Sequence, residues 1–188
     1  MDALMAALVV GALASIGDRP AWLAAILADR CRAAGMVIAA AALALLAASG
    51  LAAAAGAVVG PRLTPEAKLL MLAVSLLLQG GGALGRVKAP DRLDGWRIGA
   101  FPTALLGLFI LAFGDGIQFV VATLAARTTL PWLAAVGGAA GALVVVSVAA
   151  VLGERDWLAL PLRRVRLIVA ALFLAAGAML ALDALALI

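Results

Sequence analysis

Between Ala33 and Gly60 the chain runs 28 residues without a charge, and five other runs are nearly as apolar. A helix that crosses a bilayer needs about 20 mostly apolar residues. The runs are Ala3–Ala28, interrupted only by Asp18 and Arg19; Ala33–Gly60; and Leu69–Gly85. They continue with Ile98–Ala126, interrupted only by Asp115; Thr128–Gly153; and Leu167–Ile188, which carries Asp183. Of the 188 residues 67% are hydrophobic and 13% charged, with a mean hydropathy of +1.22. Soluble domains are nearer half apolar and a quarter charged. The expected class is an all-α membrane protein with six transmembrane helices, its partner the lipid bilayer.

Several chemistries are excluded at once. There is no histidine, so histidine metal sites and histidine switching are impossible. The single cysteine, Cys31, supports neither an intrachain disulfide nor a thiolate cluster. No nucleophile–base pair or cofactor loop appears, and the GGG at 80–82 lacks the Lys-Ser/Thr of a phosphate cradle, so no enzyme and no cofactor are expected. The formal charge of +4 points to topology rather than nucleic acid.

Lys and Arg collect in the connectors 29–32, 86–97 and 154–166, which hold ten of them. The connectors on the other side hold three: Arg62, Lys68 and Arg127. Basic residues mark the cytoplasmic side. The expected setting is therefore a bacterial inner membrane with both termini periplasmic or extracellular. Ala12-Leu13-Ala14 resembles a signal-peptidase site, but the preceding segment holds Asp2 and no basic residue, which argues against a cleaved leader. Trp96, Trp132 and Trp157 fall near span ends, as interfacial anchors do.

The chain also resembles itself. An offset of 97 positions pairs Gly17 with Gly114, Asp18 with Asp115, Arg30 with Arg127, Gly56 with Gly153 and Gly80 with Gly177, without a gap. This predicts a first three-helix repeat at 1–85, a basic cytoplasmic connector at 86–97 and a second three-helix repeat at 98–188. Three spans is an odd number, so the second copy enters the membrane from the opposite side. Inverted repeats of this kind place transporter substrate sites near the midplane.

Asp18 and Asp115 fall near the middle of the first and fourth spans. A charge there costs about 2.5–3.5 kcal/mol on insertion scales, so it marks a pathway or a partnered site. Gly17, Gly114 and Pro20 sit where a helix would bend or unwind, exposing backbone carbonyls. Carboxylate and carbonyl oxygens suit hard cations such as calcium and manganese. Gln118 shares a helical face with Asp115 and is a further oxygen ligand or an interhelical hydrogen-bonding group. Gln79 is expected to serve only helix packing, and Asp183 only to reach the interface.

The segments SIGDRPA, Ser15 to Ala21, and AFGDGIQ, Ala112 to Gln118, resemble the repeated motif of the Gdt family of calcium/manganese cation–proton antiporters. That motif is E-x-G-D-[KR]-[ST], usually followed by Q, in the first span of each of two three-helix repeats. The resemblance implies a membrane transporter of divalent cations, exchanged with protons. It implies that Asp18 and Asp115 carry the metal ion or proton, with Gln118 and Ser15 as auxiliary oxygens and Arg19 in an ion pair or gate. Ser15 and Ala112 stand where the family has its acid, and Gly116 replaces the second basic residue. Those departures support a second reading, a transport-inactive structural or regulatory membrane protein in which Arg19 pairs with Asp18 or, better placed, with Asp115; a third is a small-molecule exporter on a similar six-span plan.

Overall fold

The computed structural model describes residues 2–185, all of whose regular elements are helical. They are α1 (Asp2–Ser15), α2 (Arg19–Cys31), α3 (Ala34–Val59), α4 (Pro65–Leu84), α5 (Ala100–Phe113), α6 (Ile117–Ala126), α7 (Pro131–Ala159) and α8 (Leu162–Ala184), with a 3-10 turn at Gly60–Arg62. Four helices, α3, α4, α7 and α8, are long and apolar enough to cross a membrane singly. The other four form two bent pairs: α1 meets α2 at 66° and α5 meets α6 at 68°. Counting each pair as one span gives six.

The two bends are made by different residues. Gly17 takes φ +69, a region L side chains avoid, and Asp18 then starts α2 in an extended conformation. Pro20 sits in the first turn of α2, where a missing amide costs no helical hydrogen bond. It thus begins the second helix. The other bend has no proline; Gly114 ends α5 and Gly116 precedes α6, both at negative φ. A methyl at Gly17 would also lie 3.0 Å from Arg166 Cδ and 3.1 Å from Leu162 Cβ. Gly17→Ala is expected to lower stability by about 1–2 kcal/mol, from the left-handed backbone alone, as read by thermal unfolding in detergent micelles.

Packing relies on small residues, as it does where lipid removes the hydrophobic drive between helices. The buried core is rich in alanine, whereas Leu78, Ile110, Val144, Ile168 and Met179 face outward. In α7, Gly137 and Gly141 meet the Leu4 and Leu8 carbonyl oxygens of α1 with no room for a methyl. The pairing of elements crosses between halves: α1 and α2 lie on α7, while α5 and α6 lie on α3. Helices α4 and α8 meet reciprocally. Gly80 packs on Ala170 and Leu174, and Gly177 packs on Ala73 and Leu77, so the two helices run antiparallel.

Two expectations need correction. Residues 154–166 form no open connector: α7 continues to Ala159 and α8 begins at Leu162, drawing Arg155, Arg163, Arg164 and Arg166 into helices. Long arginine stems allow this, because their heads reach water while the helix extends into the interface. Nor is Trp157 an interfacial anchor; it is 3% exposed and belongs to the core. The cause is a break in α7 at Gly153 (φ 77, ψ 172), where the Asp29 carboxylate accepts a 2.7 Å hydrogen bond from the Glu154 amide.

No helix lies between Leu84 and Ala100. This segment is strapped over one end of the bundle. Arg30 donates to Asp94 at 3.0 Å and to the Arg92 carbonyl at 2.9 Å, and Arg92 pairs with Glu154 at 2.6 Å. Between these polar ties Leu93 is buried, its side chain lying over Gly107 and beside Leu23.

Candidate functional site

The two helix breaks converge. A cavity of about 560 Å³ is lined by Asp18, Arg19 and Pro20 from the first break and by Gly114, Asp115 and Gly116 from the second. Both aspartates are half-buried and line the same cavity, close enough for each carboxyl group to feel the other's charge. Asp115 also lies against the amides of Gly116 and Ile117 at the start of α6. Unpaired amides at a helix start favour negative charge. Two carboxylates this close repel one another unless a cation or a proton lies between them.

The cavity extends to the carboxy end of α4 and to Arg86 and Val87 at the start of the strap. Away from that end, the Ser75 and Thr123 hydroxyls meet at 3.3 Å between α4 and α6, both buried.

Of the residues singled out in the sequence, Asp18, Asp115, Arg19, Pro20 and Gly114 line the cavity. Gly17 lies behind the first break, against Arg166 and Leu162 of α8. Ser15 and Gln118 are buried and lie outside the lining. The Ser15 hydroxyl donates to the Gly11 carbonyl at 2.8 Å, and the Gln118 side-chain oxygen has no partner. Asp183 is exposed on α8.

Gln79, expected to serve only helix packing, does lie between α4 and the start of α6, and it also borders the cavity. Its amide oxygen occupies the space that a side chain at position 116 would need. The glycine that replaces a basic residue in the second motif thus admits a neutral oxygen from α4. Arg86 and Arg166 also line the cavity, which therefore carries three guanidinium groups beside two carboxylates. Both arginines read in sequence as ordinary basic residues of connectors. Among the described residues, ion pairs within 4.0 Å are limited to Arg30–Asp94 and Arg92–Glu154, so Arg19 is paired with neither Asp18 nor Asp115. No group of three or more Asp, Glu, Cys or His among the described residues is arranged to hold a metal ion.

Two broken membrane helices whose breaks meet at a polar cavity are an arrangement typical of multi-pass membrane transporters. The family model described as divalent cation/proton antiporter GDT1 matches the chain twice, over residues 3–90 and 100–187, and the protein belongs to this family. It is thus a transporter of divalent cations. A protein of Vibrio cholerae serotype O1, provisionally named a manganese exporter, is 34% identical over 180 residues, covering 93% of this chain and 88% of its own length. No solved structure matches the chain.

Proposed function

We propose that this protein exchanges a divalent cation, manganese foremost, for protons across a bacterial inner membrane, with Asp18 and Asp115 as the shared ligands. The observation that carries this reading is the convergence of the two carboxyl groups on one cavity at matched helix breaks. A pair of neighbouring carboxylates can be relieved either by a divalent cation or by a proton, and not fully by both at once. Competition for the same oxygens therefore couples the two fluxes. The Gln79 oxygen supplies a third, neutral ligand from α4, while Ser15 and Gln118 act from behind the breaks. The choice of manganese is supported by the name of the Vibrio cholerae relative.

Six spans in two inverted halves, 1–85 and 98–188 joined by the segment 86–97, complete the proposal. The reciprocal, antiparallel contact of Gly80 and Gly177 supports a two-fold axis perpendicular to α4 and α8, hence lying in the membrane plane. The two bends of nearly equal angle and the double match to the family model point the same way. With the arginine-rich strap in the cytoplasm and both termini outside, the cavity opens inward, as needed to load cations for export.

Purified protein in liposomes tests the exchange. With an acidic interior, manganese uptake should accelerate and an internal pH dye should report alkalinisation, because departing protons drive the cation in. Uptake indifferent to the gradient, with no proton movement, would overturn the coupling.

A further inference from the structure

A second cavity, of about 340 Å³, lies beside the aspartate cavity and shares Arg86 and Arg166 with it. Its own additions are Arg163 at the start of α8 and the indoles of Trp22 and Trp157; no carboxylate lines it. None of the three arginines has a carboxylate within 4.0 Å among the described residues. The Arg166 guanidinium donates to the Gly85 carbonyl at 3.3 Å, which holds it at the cavity wall. The Trp22 indole N–H is buried without an acceptor. A buried donor without an acceptor is uncommon, because each such group loses its hydrogen bond to water. Three arginines thus meet at this cavity with no carboxylate beside them, so its charged side chains favour an anion over a cation.

The rim is apolar. Leu84, Leu158, Leu160 and Leu167 are all more than a third exposed and continue the outward-facing surface of α4, α7 and α8. We infer that this cavity binds a phosphate oxyanion through Arg86, Arg163 and Arg166. Guanidinium forks match phosphate oxygens in geometry and charge. The leucine rim favours a phosphate carried on a lipid, its headgroup among the arginines and its chains along the leucines. Binding here does not depend on the transport reading, since Arg163 and Trp22 belong to this cavity alone.

The test uses the full-length protein in mild detergent, titrated separately with short-chain phosphatidylglycerol, phosphatidylcholine and inorganic phosphate. Trp22 and Trp157 report binding by fluorescence. Phosphatidylglycerol should give a saturable change, with an apparent affinity about tenfold weaker in Arg163→Gln, which loses one charged contact. Arg127→Gln, at the opposite end of the chain's charge distribution, should titrate as wild type. Saturation by inorganic phosphate, with phosphatidylglycerol no tighter, keeps the site and assigns it a soluble source. If neither anion saturates, or if phosphatidylcholine binds equally, the inference is overturned. It also falls if the two arginine variants titrate alike. Native mass spectrometry of the wild-type protein, eluted from a mixture of the two lipids, gives a readout that needs no variant. Retention of phosphatidylglycerol over phosphatidylcholine is expected, and equal retention overturns the lipid source.

Discussion

Asparagine in place of Asp115, and equally of Asp18, is expected to abolish manganese exchange in proteoliposomes, with a loss of roughly a hundredfold or more. The cavity holds two carboxylates against the guanidiniums of Arg19, Arg86 and Arg166. Removing one carboxylate leaves a divalent cation facing one negative and three positive groups. Stripping one partner from a close, partly desolvated charge pair costs about 3 kcal/mol, which is about a hundredfold in binding. The proton step fails for the same reason, since an amide does not exchange a proton with a lone neighbouring carboxylate. Asparagine keeps the size and one oxygen, and it removes a charge that is costly in the membrane. Thermal stability of either variant should therefore equal or exceed that of wild type. Wild-type flux in either variant would remove that aspartate from the site; flux lost together with folding would assign it a structural role.

Valine at Gly141 is expected to unfold the protein, at a cost of about 3 kcal/mol or more. The Leu8 carbonyl oxygen and, 2.7 Å away, the Ala12 amide nitrogen occupy the space that even a methyl would take. Those neighbours are α1 backbone, so no side-chain rotation can relieve the clash. Helix α1 must lift from α7, carrying the first break and Asp18 with it. Gly50→Ala is the control on the facing long helix, where nothing lies within 4 Å of the added carbon. It should be neutral or stabilise by up to about 1 kcal/mol through helix propensity. Thermal unfolding of both variants in the same detergent separates the two outcomes.

The spans and the breaks were legible in the sequence because lipid imposes simple rules. Apolar length gave α3, α4, α7 and α8, and a charge beside glycine marked both bends. What the sequence concealed lay where one residue type serves two purposes. Arg86 and Arg166 count as topology signals in any reading of basic connectors, yet both face the aspartate cavity. The place of Gln79 at the cavity was hidden because it depends on the absence of a side chain at position 116, a relation between distant segments. The extension of α7 beyond Gly153 was hidden because three consecutive charged residues, Glu154 to Asp156, usually end a membrane helix. Here the Asp29 carboxylate caps the resumed turn from another helix, a tertiary device without a local signature. Ser15 and Gln118 stand beside the cavity in sequence and outside its lining in space, because the Ser15 hydroxyl bonds back to its own helix and the Gln118 side chain is buried between packed helices.

The crossing of α1 and α2 onto α7, and of α5 and α6 onto α3, makes the two halves interwoven rather than neighbouring. Neither half carries the surface on which its own broken span rests. A chain cut between residues 85 and 100 should yield two fragments that are each insoluble alone and that assemble when made together. A single half would need a second copy of itself as a bed for its bent helix, so the unit from which such a fold can grow is a pair.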